Sequence, residues 1–490
     1  MISDHATLDQ ELRAHVRPPD WINPVPANRY NLVVIGGGTA GLVAAAGAVG
    51  LGARVALVER HLLGGDCLNT GCVPSKTLIS SARARLPFRE AMARVHRARV
   101  TLAPHDSAHR FRSLGVDVFF GHARFTDHET VIVDGQRLRF ARAVVATGAR
   151  PAIPPIPGLA NASPLTSETV FEKTDLPRRI GVIGGGPVGC ELAQAFGRFG
   201  VEVVLLHDLP RLLERDDADA ATSVAQALRR DGVQLVFGAR IERVDVLDGV
   251  RAIAYETDRR AAVAEVDAIL VSTGRTPNVD GLNLDAAGIA TDAKGAVRVD
   301  DFLRTTNPRV YACGDVCLPW KFTHAADAAA RIVVQNALFA LGPLGRRRLS
   351  GLTMSWCTFT DPEVAHAGLS EREAGERGIA IDTYTQPLST LDRAVTDGTI
   401  DGFVKLHARR GTGAIVGATI VAPHAGDLIG ELSVAMAGKT PLGAIANAIH
   451  PYPTYAEAIR KCGDLYNRTR LTPRVKAILE WWLSLRIRES

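Results

Sequence analysis

The 490-residue chain has few cysteines: seven, an odd number. That is too sparse for a secreted scaffold held together by disulfides. Aromatic residues make up only 6% of the chain, and neither charge sign dominates, with 57 Lys and Arg against 52 Asp and Glu. A balance this even, spread over such a length, argues against a nucleic-acid partner. Residues 1–30 show no apolar core followed by a small-residue cleavage site, so no secretory signal is expected there and a cytoplasmic protein is. Long uncharged runs are also scarce. The clearest, Leu32 to Ala53, spans 22 residues and contains seven glycines. It reads as a strand, a tight turn and a helix better than as a membrane span. The His, Cys, Asp and Glu spacings include no metal-ligand pattern.

What is present is a repeat. Asn31 to Ile35 is an apolar run that leads into Gly36-Gly-Gly38-Thr-Ala-Gly41, and a second strand ends at Glu59. A shift of 148 residues maps Gly36, Gly38, Gly41 and Glu59 onto Gly184, Gly186, Gly189 and His207 without a gap. In such a unit the first glycine makes the tight turn and the second lets backbone N–H groups approach a pyrophosphate. The third lets helix and strand pack closely. Glu59 suits the ribose hydroxyls of an adenosine. His207 leaves the choice between NADH and NADPH open, with a lean to NADPH because no carboxylate there repels a 2′-phosphate. Each unit closes on a strand and glycine turn, at Thr147-Gly148 and at Gly274. Two dinucleotide sites suggest electron transfer between a flavin and a nicotinamide.

Between the two units lies Gly64-Gly-Asp-Cys67-Leu-Asn-Thr-Gly-Cys72-Val-Pro-Ser-Lys76. Two cysteines five apart, ahead of helical sequence, suit a redox dithiol at a helix start, where the helix dipole favours a thiolate. Cys190, Cys357 and Cys462 read as buried small hydrophobes, and Cys313 and Cys317 as ordinary residues beside Asp315. His366, His407 and His424 read as surface or satisfied residues.

Taken in order, GGGTAG, GGDCLNTGCVPSK, ATGARP, GGGPVGCE, STGRTPN, YACGDV and PYPTYAE resemble the class I pyridine nucleotide–disulfide oxidoreductases. These are FAD enzymes, and the mercuric reductase-like members are the nearest in pattern. The resemblance implies an α/β fold of two Rossmann-like domains, for FAD and NAD(P), and an α+β C-terminal dimerisation domain. The expected division is an N-terminal arm over 1–30, an FAD domain over 31–155 and 281–345, and a nicotinamide domain over 156–280. An interface domain follows over 351–470, then an amphipathic helix over 471–490.

The resemblance also implies roles. Cys72 would face the flavin and Cys67 would exchange with substrate, while Lys76 would pair with Glu191 beside the flavin. Asp315 would bind the ribityl chain, and His324-Ala325 would open a helix toward the flavin. A homodimer would complete each site in trans. Disulfide-reducing relatives place a His-Pro-Thr and a glutamate there. This chain has Tyr452-Pro-Thr and Glu457, with His450 two residues earlier. Tyrosine has a reference pKa near ~10 and is a poor base for a thiol. That favours a mercuric reductase-like enzyme acting on a small-molecule or thiol-bound acceptor, Hg(II) included. The alternatives are a dihydrolipoyl dehydrogenase or other disulfide reductase and, in another class, a redox-sensing flavoprotein. In the tail, Trp481, Trp482 and nearby basic residues suit either packing on the dimer or weak contact with a membrane surface.

Overall fold

The computed structural model describes residues 5–258, 260–342 and 344–488. Residues 1–4 of the expected arm and 489–490 of the expected tail helix lie outside them. The chain divides into two compact units, residues 1–208 with 232–352, and residues 209–231 with 353–490.

The first unit is built on two parallel sheets, one for each copy of the repeat. In the first, β1 (Tyr30–Ile35) lies between β2 (Val55–Glu59) and the strand Gln136–Val145, parallel to both. Val116–Phe120 extends the sheet beyond β2, and Val310–Ala312 returns to pair with Ala143 to Val145. The first dinucleotide fold is therefore finished by residues far along the chain. β1 and β2 are buried almost throughout, which explains why they read as near-continuous apolar runs. In the second copy, β3 (Arg179–Ile183) lies between β4 (Glu202–His207) and Ala268–Val271, again parallel. A three-stranded antiparallel meander over residues 240–266 packs its apolar side chains with this sheet.

Ala149–Pro151 pairs antiparallel with Arg275–Pro277, so the outgoing and returning chains form a ladder. Thr147 Oγ1 donates to the carbonyl of Asn278 at 2.6 Å, and Asn278 Nδ2 donates back to the Thr147 carbonyl at 3.1 Å. Residues 5–16 of the N-terminal arm form a helix that buries Leu8, Leu12 and Val16. Its spacing at i, i+4 and i+8 is amphipathic, a short signal that the charged flanks obscured.

The second unit is a five-stranded antiparallel sheet in the order Ser355–Thr358, Glu363–Gly368, Ile415–Ala422, Phe403–Arg409, Ile381–Pro387. Its apolar face packs with Ile429, Leu432, Ile459 and Cys462 from the helices Ala425–Ala437 and Glu457–Arg470. Residues 209–231, which the sequence places within the nicotinamide segment 156–280, cluster with this unit. A buried polar network holds them there. Asp217 Oδ2 accepts from Thr419 Oγ1 at 3.0 Å and lies 3.4 Å from Lys405 Nζ and 3.6 Å from His407 Nε2. Lys405 also pairs with Asp219 at 2.6 Å, and Trp356 Nε1 donates to Asp216 at 2.8 Å. His366 is fully buried and bonded through both ring nitrogens, His407 is fully buried with Nδ1 bonded to Thr383 but Nε2 left without a hydrogen bond, and His424 is exposed.

Candidate functional site

The two glycine turns are geometrically alike. Gly36 and Gly184 have φ of +110° and +111°, a region that favours glycine. A Cβ on Gly41 would sit 1.7 Å from the Gly36 carbonyl oxygen, and one on Gly189 would sit 2.0 Å from that of Gly184. The third glycine of each motif is thus required by close packing of helix on turn. Gly38 precedes α1 (Thr39–Gly50) and Gly186 precedes α3 (Pro187–Arg198), and no side chain caps either helix start. Backbone N–H groups are left facing outward at both positions, as an anionic pyrophosphate requires. Each turn therefore fits the pyrophosphate of a dinucleotide such as FAD or NAD(P).

Glu59 and His207 also do equivalent work. Glu59 Oε2 accepts from the Gly37 N–H at 2.6 Å, and His207 Nδ1 lies in the same relation to the Gly185 N–H at 3.2 Å. Each side chain braces its own glycine turn. Arg211, four residues after His207, donates to the carbonyls of Leu213, Glu214 and Asp216 and holds its own turn.

Cys72 is the first residue of α2 (Cys72–Arg83), and Cys67 lies in the short helix before it. The two thiols are hydrogen-bonded to each other, which drives their acidities apart. Cys72 is lowered to about 6, first by the Cys67 thiol and then by Thr323 and Lys76 acting against burial. Cys67 is raised above the ordinary thiol range because it keeps the shared proton and is buried. The pair therefore favours a thiolate on Cys72 and the proton on Cys67. Lys76, one turn along α2, pairs with Glu191 of α3 at 2.8 Å. Glu191 is only 4% exposed, so the pair links the thiol helix to the second dinucleotide unit.

Thr323 opens α4 (Thr323–Val334), and its hydroxyl lies 3.3 Å from Cys72 Sγ. Its part in holding the sulfur was not legible in the sequence, because 251 residues separate the two. Two helix N-termini thus meet at one sulfur, and both favour negative charge there. His324 is exposed and stacks on Phe322, while Ala325 is buried. Arg275, quoted only as part of a motif, pairs with Asp66 next to Cys67 and lies 3.2 Å from Asp315. Burial pushes the Asp315 carboxyl above its ordinary range, partly offset by Arg275 and Lys321.

The remaining cysteines are unsuited to redox work. Burial raises Cys313 and Cys462 to about 12 and Cys317 well above the ordinary value. Cys190 is buried, but Cys357 is only partly so, contrary to its apolar sequence context, and lies 4.0 Å from Glu363 Oε2.

On the substrate side, Tyr452 follows the expected motif in sequence but not in contacts. It is 69% exposed, and its hydroxyl donates to Asp392 at 2.6 Å, which raises its pKa further. His450 lies between the Glu431 carboxylate at 3.0 Å and the Ala448 carbonyl at 3.1 Å. Glu457 is buried and faces Arg460 and Lys461, each at 3.4 Å. Tyr452, His450 and Glu457 thus have separate partners, and no His–Glu pair of the disulfide-reductase type forms among them.

Two dinucleotide folds flanking a polarised dithiol define a flavin-dependent, nicotinamide-linked thiol oxidoreductase. The chain belongs to the pyridine nucleotide-disulphide oxidoreductase family, which matches residues 30–330, and the family's dimerisation domain matches residues 354–462. Enzymes of this family use FAD and NAD(P)H. Over 458 residues the chain is 34% identical to the mercuric reductase of Staphylococcus aureus, covering 89% of this chain and 83% of that one. It is 30% identical to the dihydrolipoyl dehydrogenase of Bacillus subtilis, covering 88% and 97%. Among solved structures, the HOCl-induced flavoprotein disulfide reductase RclA from Escherichia coli superposes with a TM-score of 0.81 at 29% identity. That match covers 89% of this chain and all of RclA.

Proposed function

We propose that the chain is an NAD(P)H-dependent flavoprotein reductase that delivers electron pairs to a thiol-reactive acceptor, in the manner of mercuric reductase. The observation that carries this reading is the Cys67–Cys72 pair at the start of α2, with the Thr323 hydroxyl 3.3 Å from Cys72 Sγ and Cys72 shifted toward its thiolate by Cys67, Thr323 and Lys76. Bound FAD supplies the two-electron relay between NAD(P)H and the Cys67–Cys72 disulfide. Reducing that disulfide takes two electrons and one proton when it leaves one thiol, on Cys67, and one thiolate, on Cys72. A soft cation such as Hg(II) binds such sulfurs directly, and its two-electron reduction needs no histidine base. A disulfide substrate does need one, because the leaving thiolate must be protonated.

The acceptor side supports the metal-type reading. Tyr452 stands where disulfide-reducing enzymes have a base, and its hydroxyl is bonded to Asp392. The chain works as a homodimer through its dimerisation domain, with each site completed across the dimer. The reducing cytoplasm, where a dithiol stays available, suits this chemistry.

The test is anaerobic titration with NADH and NADPH, followed at the long-wavelength thiolate-to-flavin band, then turnover with Hg(II), lipoamide and glutathione disulfide. The band is expected with parent protein and is expected to disappear in Cys72→Ser. Efficient lipoamide turnover, or a Cys72→Ser variant indistinguishable from parent, would overturn the proposal.

A further inference from the structure

The C-terminal helix α6 (Pro473–Arg488) follows α5 (Glu457–Arg470) after only two residues, Leu471 and Thr472. Every residue from Leu471 to Ile487 is exposed. Val475, Ile478, Leu479, Trp482 and Leu485 form one stripe at helical spacing, and Trp481, Leu483 and Ile487 lie to either side of it. Such apolar side chains stay wet only when their natural cover is missing. From residue 465 to 487 the sequence has five cations, Arg468, Arg470, Arg474, Lys476 and Arg486, against one acid, Glu480. That acid is paired with Lys476 one turn away. Arg486 stacks over Trp482 at 5.6 Å and Arg470 over Tyr466 at 5.8 Å.

We propose that α6 is a membrane-surface anchor that lays its tryptophans and leucines into an anionic bilayer and its flanking arginines among the lipid phosphates. The charge decides the occupant. The headgroup region of a bilayer is soft and closes around the helix on several sides. It favours tryptophan for its apolar ring and polar N–H, and anionic lipid matches the cations at the helix ends. None of the described helices is long and apolar enough to cross a membrane, so α6 lies on the surface rather than spanning. The anchor would hold the reductase beside acceptors that partition into lipid.

The test is co-sedimentation of the full-length flavoprotein with phosphatidylcholine vesicles, with and without one-third phosphatidylglycerol. It reads binding without turnover and so stands apart from the proposed activity. Binding is expected on the anionic vesicles and is expected to weaken as salt rises. Arg474→Gln with Arg486→Gln is expected to weaken it roughly tenfold or more, since each cation near an anionic surface contributes about 1 kcal/mol. Trp481→Ala with Trp482→Ala is expected to weaken it similarly, with flavin content and dimer mass unchanged. The charge variant leaves the apolar face intact and so controls for misfolding of the tryptophan variant. Full-length protein that stays in the supernatant, or variants that bind as the parent does, would overturn the proposal. So would dissociation of the dimer in the tryptophan variant, which would assign α6 to a second copy of the chain.

Discussion

Replacing Thr323 by valine removes a hydroxyl and nothing else of comparable size, so the change tests one contact at the redox sulfur. Thr323 Oγ1 lies 3.3 Å from Cys72 Sγ, and in the reduced protein the hydroxyl donates to the thiolate. A hydrogen bond to a charged acceptor contributes about 1.5–3 kcal/mol, and one pKa unit corresponds to about 1.4 kcal/mol. Cys72 reaches solvent, where water replaces part of the lost bond, so the low end of that range applies. Cys72, held at about 6 in the parent, is expected to titrate roughly one unit higher in Thr323→Val. The sign follows from the charge: losing a donor to the thiolate disfavours the thiolate and raises its pKa. At neutral pH the thiolate fraction would fall from about nine-tenths to about half. The assay is a pH titration of the long-wavelength band in two-electron-reduced protein, with Thr323→Ser as the variant that restores the donor. Coincident midpoints for parent, Val and Ser proteins would refute the reasoning, because a merely structural threonine would leave the midpoint in place.

The glycine turns separate the two cofactors. Gly41→Ala places a Cβ 1.7 Å from the Gly36 carbonyl oxygen and is expected to yield protein depleted of flavin. Gly189→Ala is expected to retain flavin absorbance but bind NAD(P)H at least tenfold more weakly, measured by stopped-flow reduction. Tyr452→His is expected to increase turnover of lipoamide relative to Hg(II) without altering the band formed on reduction, since it adds a base only on the acceptor side. Asp216 is buried against Trp356, and burial raises its carboxyl to about 6. Its folded pKa lies above the unfolded value, so the native state loses stability as pH rises from about 4 to about 6. Asp216→Asn keeps an acceptor for the indole N–H and removes that penalty. The variant is therefore expected to be about 3 kcal/mol more stable than parent at pH 7.5 and equal to it near pH 4, read by urea unfolding.

Much of the dinucleotide chemistry was legible because it is local. A glycine turn, the helix after it and the residue ending the next strand lie within about 25 residues, and their spacing follows from backbone geometry. The duplication at 148 residues exposed both units at once. The pairing of Cys67 with Cys72 was legible for the same reason. His207 shows where local reading ran short. The sequence marked it as an exception to an acidic rule, whereas the structure shows it bracing the Gly185 turn as Glu59 braces Gly37. Residues 209–231 follow the second β–α–β unit in sequence, yet their cluster with the C-terminal sheet depends on Asp217, Lys405 and Thr419, which no short window contains.

By itself, the sequence determined that this chain has two nucleotide cradles and a thiol pair, because each depends on residues a few turns apart. Tertiary structure alone decided how the thiol is tuned. Thr323 and Glu191 come from the starts of two distant helices, and burial sets how strongly each acts on Cys72 or Lys76. It likewise decided that Tyr452, His450 and Glu457, close together in sequence, have three separate partners. Spacing along the chain limits which groups can meet. Packing decides which do, and so which proton each sulfur keeps.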